Sequence, residues 1–288
     1  MALAFLWLLG VSENTFAQDL TQADSSDALT HYRNHWKRSV RHLTKDSADF
    51  IGLPHPYSTP TLAGNKMFQE MYYWDSYFIN RGLIAYSTHP QRNGESTPDE
   101  QAALQQAINN CNNLIWLVEK FGHVPNANRY SMTNRSQPPM LGAMVSDIYN
   151  TTQDTVWLRR ALNALEMEHS WWMRERFLGL STSERKLAPH SLGYNHYGHD
   201  ANDAFLLRFG RFLSGRLGDG FDSLLAQQNQ DSFQLPNQPK QGKGLWLLGH
   251  MLAEAESGWD VTNEYAMPDF FGWTAGVYME YRTEFALP

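Results

Sequence analysis

Residues 97–122 read "TPDEQAALQQAINNCNNLIWLVEKFG", and this stretch decides the fold class. Thr97 stands where a helix N-cap belongs, Pro98 at the first helical position and Glu100 three residues after the cap. That is the pattern of a capping box, in which each partner accepts a hydrogen bond from the other's backbone N–H. Apolar residues then recur at Ala107, Cys111, Leu114, Ile115 and Val118, one stripe at helical spacing. Gly122 can close the helix in the left-handed conformation. Cys111 falls on the stripe and reads as a small core residue rather than a nucleophile.

Working outward, a second strong helix is expected over about residues 155–176, with Leu158, Leu162, Leu165, Trp172 and Met173 on its apolar side. Shorter helical patterns lie at about 28–43, 69–87, 137–150, 201–217 and 243–256. Strand signals are few and no alternating run stands out. The stretch 178–203 reads as loop, and "QQNQDSFQLPNQPKQGKG" at 227–244 as a polar surface connection. No fixed-period repeat is present. The chain is therefore expected to be all-α, with residues 18–288 forming one domain.

The composition is that of a globular protein: 288 residues, 42% hydrophobic and 18% charged. A net charge of −7 argues against nucleic acid, since binding phosphate needs a basic surface. No glycine-rich phosphate loop occurs; "GKGLWLLG" at 242–249 lacks the dinucleotide spacing. The start, "MALAFLWLLGVSENTFAQ", has an apolar run over 2–11, too short to span a bilayer, followed by Thr15-Phe16-Ala17. It reads as a secretory signal peptide over 1–17, which places the protein in the periplasm or outside the cell. No other apolar run is long enough for a membrane span. The single cysteine rules out an internal disulfide.

Three stretches mix aromatic and polar residues densely. They are "MFQEMYYWDSYFINRGL" at 67–83, "GHVPNANRYSMTNRSQPPML" at 122–141 and "AEAESGWDVTNEYAMPDFFGWTAGV" at 253–277. Trp and Tyr rings can cover the apolar faces of a pyranose, while Asn, Gln, Asp and Arg bond its hydroxyls. Asp260 and Glu264 lie four positions apart in the third stretch. Glycoside hydrolysis needs two carboxyl groups, about 6.5–9.5 Å apart for inversion or about 5–5.5 Å for retention. Residues four apart on a helix have Cβ atoms about 5–6 Å apart, so spacing leaves both geometries open. A solvated acidic helix face is the other reading of the pair.

All three stretches resemble the signatures of the trehalases, glycoside hydrolase family 37. "FQEMYYWDSYF" is similar to the family's first motif. "GHVPNANRYSMTNRSQPP" resembles the segment reading Gly-His-Ile-Pro-Asn-Gly-Asn-Arg through Arg-Ser-Gln-Pro-Pro. "AEAESGWD" resembles the segment that holds the general acid, and "EYAMPDFFGWTAGV" the one that opens with the general base. The resemblance covers about residues 50–282. It implies an (α/α)6 toroid, inverting hydrolysis of α,α-trehalose to two glucose molecules, no cofactor, no metal and a monomer. It gives Asp260 the acid role and Glu264 the base role. It makes Phe68, Trp74, Asp75, Asn126, Arg135 and Gln137 the lining of the sugar subsite, joined by Gly258, Trp259 and Trp273 beside the acids.

Three departures bear on this expectation. Met67 stands where the family usually carries an arginine before the matched Phe68, with Lys66 beside it. The family's Arg-Pro-Glu-Ser segment, which contacts the leaving glucose, is missing, and "GYNHYGHDANDAF" occupies its place. His196, His199 and Asp200 in that stretch have metal-like spacing, but exposed loop residues are the default reading. Finally, the acid and base segments, normally far apart, are almost fused near Thr262. An internal deletion there would leave the toroid incomplete, with roughly seven or eight helical patterns. A sugar-binding protein without turnover, or a hydrolase of another α-glucoside, remains an alternative.

Overall fold

The computed structural model describes residues 30–65, 67–88, 96–179, 193–195 and 199–217, with short pieces at 232–233, 241–242 and 248. The architecture is mostly helical, as expected. After helical residues 30–35 and a 3-10 turn at Trp36–Ser39 come α1 (Tyr73–Ser87), α2 (Pro98–Phe121), α3 (Leu141–Thr152), α4 (Thr155–Glu175) and α5 (Asp203–Leu217). Among the described residues, strands are confined to three antiparallel pairs of two or three residues each: β1 (Val40–Arg41) with β2 (Tyr57–Ser58), β3 (Phe177–Gly179) with β4 (Gly193–Asn195), and β5 (Ser232–Phe233) with β6 (Gln241–Gly242).

α2 forms where its sequence places it. Thr97 Oγ1 accepts from the Glu100 amide at 3.3 Å, and Glu100 Oε2 accepts from the Thr97 amide at 2.7 Å. Gly122 ends the helix at φ 79°. Its predicted stripe is buried throughout, and α2 packs against α1, α3 and α4. Cys111 has no accessible surface, and burial pushes its thiol pKa far up, in keeping with a core role.

Three helix boundaries differ from the sequence reading. Helix 28–43 stops at residue 39, because Val40 leaves to pair with Ser58. Helix 69–87 starts at Tyr73, because residues before it run extended against the 122–140 loop: Met71 exchanges hydrogen bonds with Asn128, and Tyr72 bridges Ala127. Helix 137–150 starts at Leu141, since a residue before proline disfavours the helical conformation and Gln137 precedes Pro138-Pro139. The pattern at 243–256 lies outside the described residues, apart from buried Leu248.

The apolar side of α4 also differs. Leu162 and Met173, expected inside, are 47% and 40% exposed. The face turned inward carries Ala161, Ala164, Glu168, Trp171 and Trp172, with Leu158 and Leu165 at its edges. The two alanines permit close approach to the core, and the helix turns to use them. Bulk hydrophobicity alone would have chosen the other side.

The main core joins Leu114, Ile115, Leu117 and Val118 of α2 with Leu141, Met144, Val145 and Ile148 of α3. Ala161 and Ala164 of α4, Tyr73, and Ile51, Leu53 and Tyr57 complete it. A second cluster sets Tyr32 and Trp36 against Ile79, Leu83 and Tyr86 of α1 and Ala103 and Ala107 of α2.

Beside this apolar contact, α1 and α2 are also joined by a buried polar network. Asn110 is fully buried; its Oδ1 accepts from the Ser58 amide at 2.9 Å and from Gln106 Nε2 at 2.9 Å. Its Nδ2 donates to Asn80 Oδ1 at 2.9 Å and to Ser58 Oγ at 3.1 Å. Asn80 in turn donates to the Ala107 carbonyl at 2.9 Å. Every polar atom of Asn110 is thus matched, the condition for a buried network to stabilise a fold. Asn110→Ala would strand the Ser58 amide and the Asn80 and Gln106 side chains. We expect a loss of about 3 kcal/mol of stability, read as a lower urea midpoint at unchanged slope.

Candidate functional site

The site grows from the 122–140 loop and the first turn of α1. A helix start leaves backbone N–H groups without intrahelical acceptors. Tyr72, at the N-cap of α1, offers no side-chain acceptor. The loop supplies them instead: the Tyr73 amide donates to the Asn126 carbonyl at 3.2 Å, and the Trp74 amide to Gln137 Oε1 at 3.0 Å. Asp75 sits in the same first turn, where the helix dipole favours a negative charge.

The loop is braced internally and from below. The Asn126 amide donates to the Arg135 carbonyl at 2.9 Å, closing its two arms on each other. Asn128, fully buried, accepts from the Met71 amide at 2.7 Å and donates to the Ile51 carbonyl at 3.0 Å. Arg129 stacks its guanidinium on Phe50 at 3.9 Å and donates to Glu70 at 2.6 Å. Arg135, 5% exposed, donates to the Ser131 carbonyl at 3.1 Å and to Asn134 Oδ1 at 2.8 Å.

The structure therefore brings together Trp74, Asp75, Asn126, Arg135 and Gln137. Phe68 lies just before them, its backbone at φ 55° and its ring edge-on to Tyr72 at 6.1 Å. Met67, at the position of the expected arginine, gives its carbonyl to the Thr61 hydroxyl at 2.8 Å. Gln137 has its Oε1 committed to Trp74, so its amino hydrogens are what it can offer elsewhere. Asn126 has no accessible surface, and both its Oδ1 and Nδ2 lack a hydrogen-bond partner among the described residues. Burying an unpaired amide is costly, so two such atoms on one side chain mark a place built for something polar. Asp260, Glu264, Gly258, Trp259 and Trp273 lie outside the described residues.

Two groups near this site were not singled out from the sequence. His123, at the loop's start, stacks on Trp171 of α4 at 4.2 Å, and the Arg176 guanidinium lies 4.6 Å from the same ring. Burial holds the His123 pKa below the usual imidazole range. Arg176 grips both oxygens of Asp200 at 3.1 Å, and the Asp200 amide donates to the Asn134 carbonyl at 2.7 Å. The His199 ring accepts from the Ala201 amide at 3.1 Å. These two residues of the histidine-rich stretch thus have structural partners. The second group is Glu168, 4% exposed on the inward face of α4; Tyr73 Oη donates to its Oε2 at 3.0 Å. A charged residue in line with Ala161, Ala164 and Trp171 was the available signal, masked by the larger leucines beside it.

The trehalase family model matches residues 12–201, about two thirds of the chain. The chain belongs to the trehalase family. It is 29% identical over 254 residues to the trehalase of Apis mellifera, covering 88% of this chain and 33% of that protein. It is 29% identical over 242 residues to the periplasmic trehalase of Pseudomonas aeruginosa, covering 83% and 38% respectively. Over 108 residues it is 43% identical to an Oryza sativa subsp. japonica protein described as a probable trehalase, covering 38% and 16%. The neutral trehalase of Saccharomyces cerevisiae superposes with a TM-score of 0.43 at 20% identity, over 85% of this chain and 41% of that one. The chain spans well under half the length of the curated trehalases it matches. Among the described residues no helix is long and apolar enough to cross a membrane.

Burial, opposed by the Tyr73 hydrogen bond and the Val124 amide, pushes Glu168 from 4.5 up to about 7. A carboxyl raised on folding adds stability that is fully present below its unfolded pKa and is lost as pH rises through the folded value. The Glu168 contribution should therefore be complete below pH 4.5 and gone above about 7. Urea unfolding of wild type and Glu168→Gln across that window checks it: the difference between them should slope with pH and level off at both ends.

Proposed function

We propose that this chain carries the sugar-binding and catalytic chemistry of a trehalase, hydrolysing α,α-trehalose to two glucose molecules with inversion. The observation that carries the reading is Asn126. Its carboxamide offers one acceptor and two donors with no partner among the described residues, and a sugar hydroxyl both donates and accepts. The setting is right for a pyranose. Trp74 supplies an aromatic face, while Asp75, Arg135 and the Gln137 amino group supply further polar contacts. Phe68 and Trp74 cover apolar ring surface and, with Trp259 and Trp273, exclude bulk water.

In the proposed chemistry Asp260, held protonated by apolar and aromatic neighbours, gives its proton to the glycosidic oxygen. Glu264, ionised, takes a proton from a water on the opposite face of the ring, and that water attacks the anomeric carbon. The leader at 1–17 would export the protein, in keeping with the periplasmic relative in Pseudomonas aeruginosa.

One observation favours a second substrate. The stretch that replaces Arg-Pro-Glu-Ser includes Asp200, whose two oxygens are both taken by Arg176. That carboxylate is poorly placed to hold a leaving glucose, which favours an α-glucoside with a different aglycone.

The test pairs calorimetry with a glucose-release assay on trehalose and a panel of α-glucosides. The wild-type chain should release glucose, with α- and β-anomers in equal amounts by NMR before mutarotation, because inversion makes one glucose β while the departing one keeps its α configuration. Asp260→Asn should slow release by at least about a thousandfold while leaving the circular dichroism spectrum intact. Asn126→Leu should abolish sugar binding. Binding without release would make the chain a sugar-binding protein; neither binding nor release of any sugar would sink the reading.

A further inference from the structure

We propose that Glu168 is a positioning residue for the sugar subsite: through the Tyr73 hydroxyl, its buried carboxylate holds Trp74 and Asp75 against the Asn126–Gln137 loop. The inference rests on the sugar-site reading above and adds to it a residue on another helix.

The geometry is a short relay. Tyr73 is fully buried and directly precedes Trp74 and Asp75. Its amide donates to the Asn126 carbonyl at 3.2 Å. Its hydroxyl, at the other end of the ring, accepts from the Leu141 amide at 2.9 Å and donates to Glu168 Oε2 at 3.0 Å. The Leu141 bond lets the first turn of α3 orient the hydroxyl, and leaves its one proton aimed at Glu168. Tyr73 is thus clamped at both ends, and α4 reaches the site through it.

An isolated buried carboxyl is an expensive choice where leucine would pack. It is also poorly supported. Oε1 lacks a hydrogen bond of good geometry among the described residues, and the Val124 amide adds only a lesser pull toward the ionised form. A purely structural acceptor for one tyrosine could have been a glutamine. What a carboxylate adds is strength: a hydrogen bond to a charged acceptor is roughly twice as strong as a neutral one. It also adds proton control. With Glu168 ionised, Tyr73 donates into a full negative charge. With Glu168 protonated, the hold on the hydroxyl drops to that of a neutral pair.

Among the described residues, the groups facing this carboxyl are few. α1 presents the Tyr73 hydroxyl, which burial and the Glu168 charge keep protonated. α2 presents the buried Cys111 beyond that hydroxyl, and α3 presents apolar Leu141, Met144, Val145 and Ile148. The loop brings His123 against Trp171, three positions along α4, with Arg176 and Asp200 beyond. Since His123 also titrates, the test must separate the two.

The experiment measures trehalose and glucose affinity by calorimetry on the full chain from about pH 5.5 to pH 8.5, a range that brackets the Glu168 titration near pH 7. Wild type should bind more tightly as pH rises through neutrality. Glu168→Gln keeps the shape but not the charge; it should weaken binding roughly tenfold at the upper pH, the scale of one lost charge-assisted hydrogen bond. It should also flatten the profile. Tyr73→Phe, which removes only the hydroxyl and covers the case of a Gln variant that fails to fold, should match that loss. The double variant should lose no more than either single change. Wild-type affinity and an unchanged pH profile in either folded variant would overturn the assignment while leaving the sugar site standing. A wild-type chain that binds no sugar would overturn the functional reading and this assignment with it.

Discussion

The constraint on which the rest of the structure depends is the unmet hydrogen bonding at the start of α1. Two backbone amides there, of Tyr73 and Trp74, have no acceptor in their own helix or from the N-cap residue. The 122–140 loop meets both, one with a backbone carbonyl and one with the Gln137 side chain. Buried backbone N–H groups are almost always paired, so loop and helix must be placed together or not at all. That single demand puts an indole, a carboxylate, a buried carboxamide and a guanidinium in one neighbourhood. It also explains why polar residues dominate a loop that is mostly buried.

The same logic runs through the interior. Asn110 and Asn128 each sit at zero exposure with both amide atoms hydrogen-bonded, joining segments that share no helix. Buried amides of this kind contribute little net energy compared with apolar packing, but they penalise any alternative arrangement heavily. Asn126 stands out against this background. Where Asn110 and Asn128 are hydrogen-bonded, the Asn126 amide is equally buried and has no partner among the described residues. The contrast within one molecule is a stronger pointer to a ligand than the residue type alone.

Membership of the trehalase family and the geometry of the subsite support each other, though they come from different sources. The family match ends at residue 201, and the described site lies wholly before it. The chain spans 33% and 38% of the length of the Apis mellifera and Pseudomonas aeruginosa relatives, and the described residues of the proposed sugar site fall within the part matched by the family model. Glu168 shows how such a portion can be tuned from outside its own motifs. A carboxyl on α4 reaches the first turn of α1 through a single tyrosine hydroxyl, and its protonation alters a hydrogen bond rather than a contact with sugar.

Local chemistry was legible in the sequence. The capping box, the α2 stripe, the helix-ending glycine and the aromatic-polar motifs all depend on residues within a few positions of one another. The sequence by itself determined that this protein is mostly helical and where its clearest helix, α2, begins and ends; the resemblance to the trehalases grouped Trp74, Asp75, Asn126, Arg135 and Gln137 as one expected set. It could not determine which amides would be paired and which left open, because that depends on residues dozens of positions apart. Nor could it say that α4 would turn Ala161, Ala164 and Glu168 inward while exposing Leu162 and Met173. Only the tertiary structure decided these points. Packing rewards the face that lets backbones approach, and a hydrogen bond exists only when the fold brings its two ends within reach.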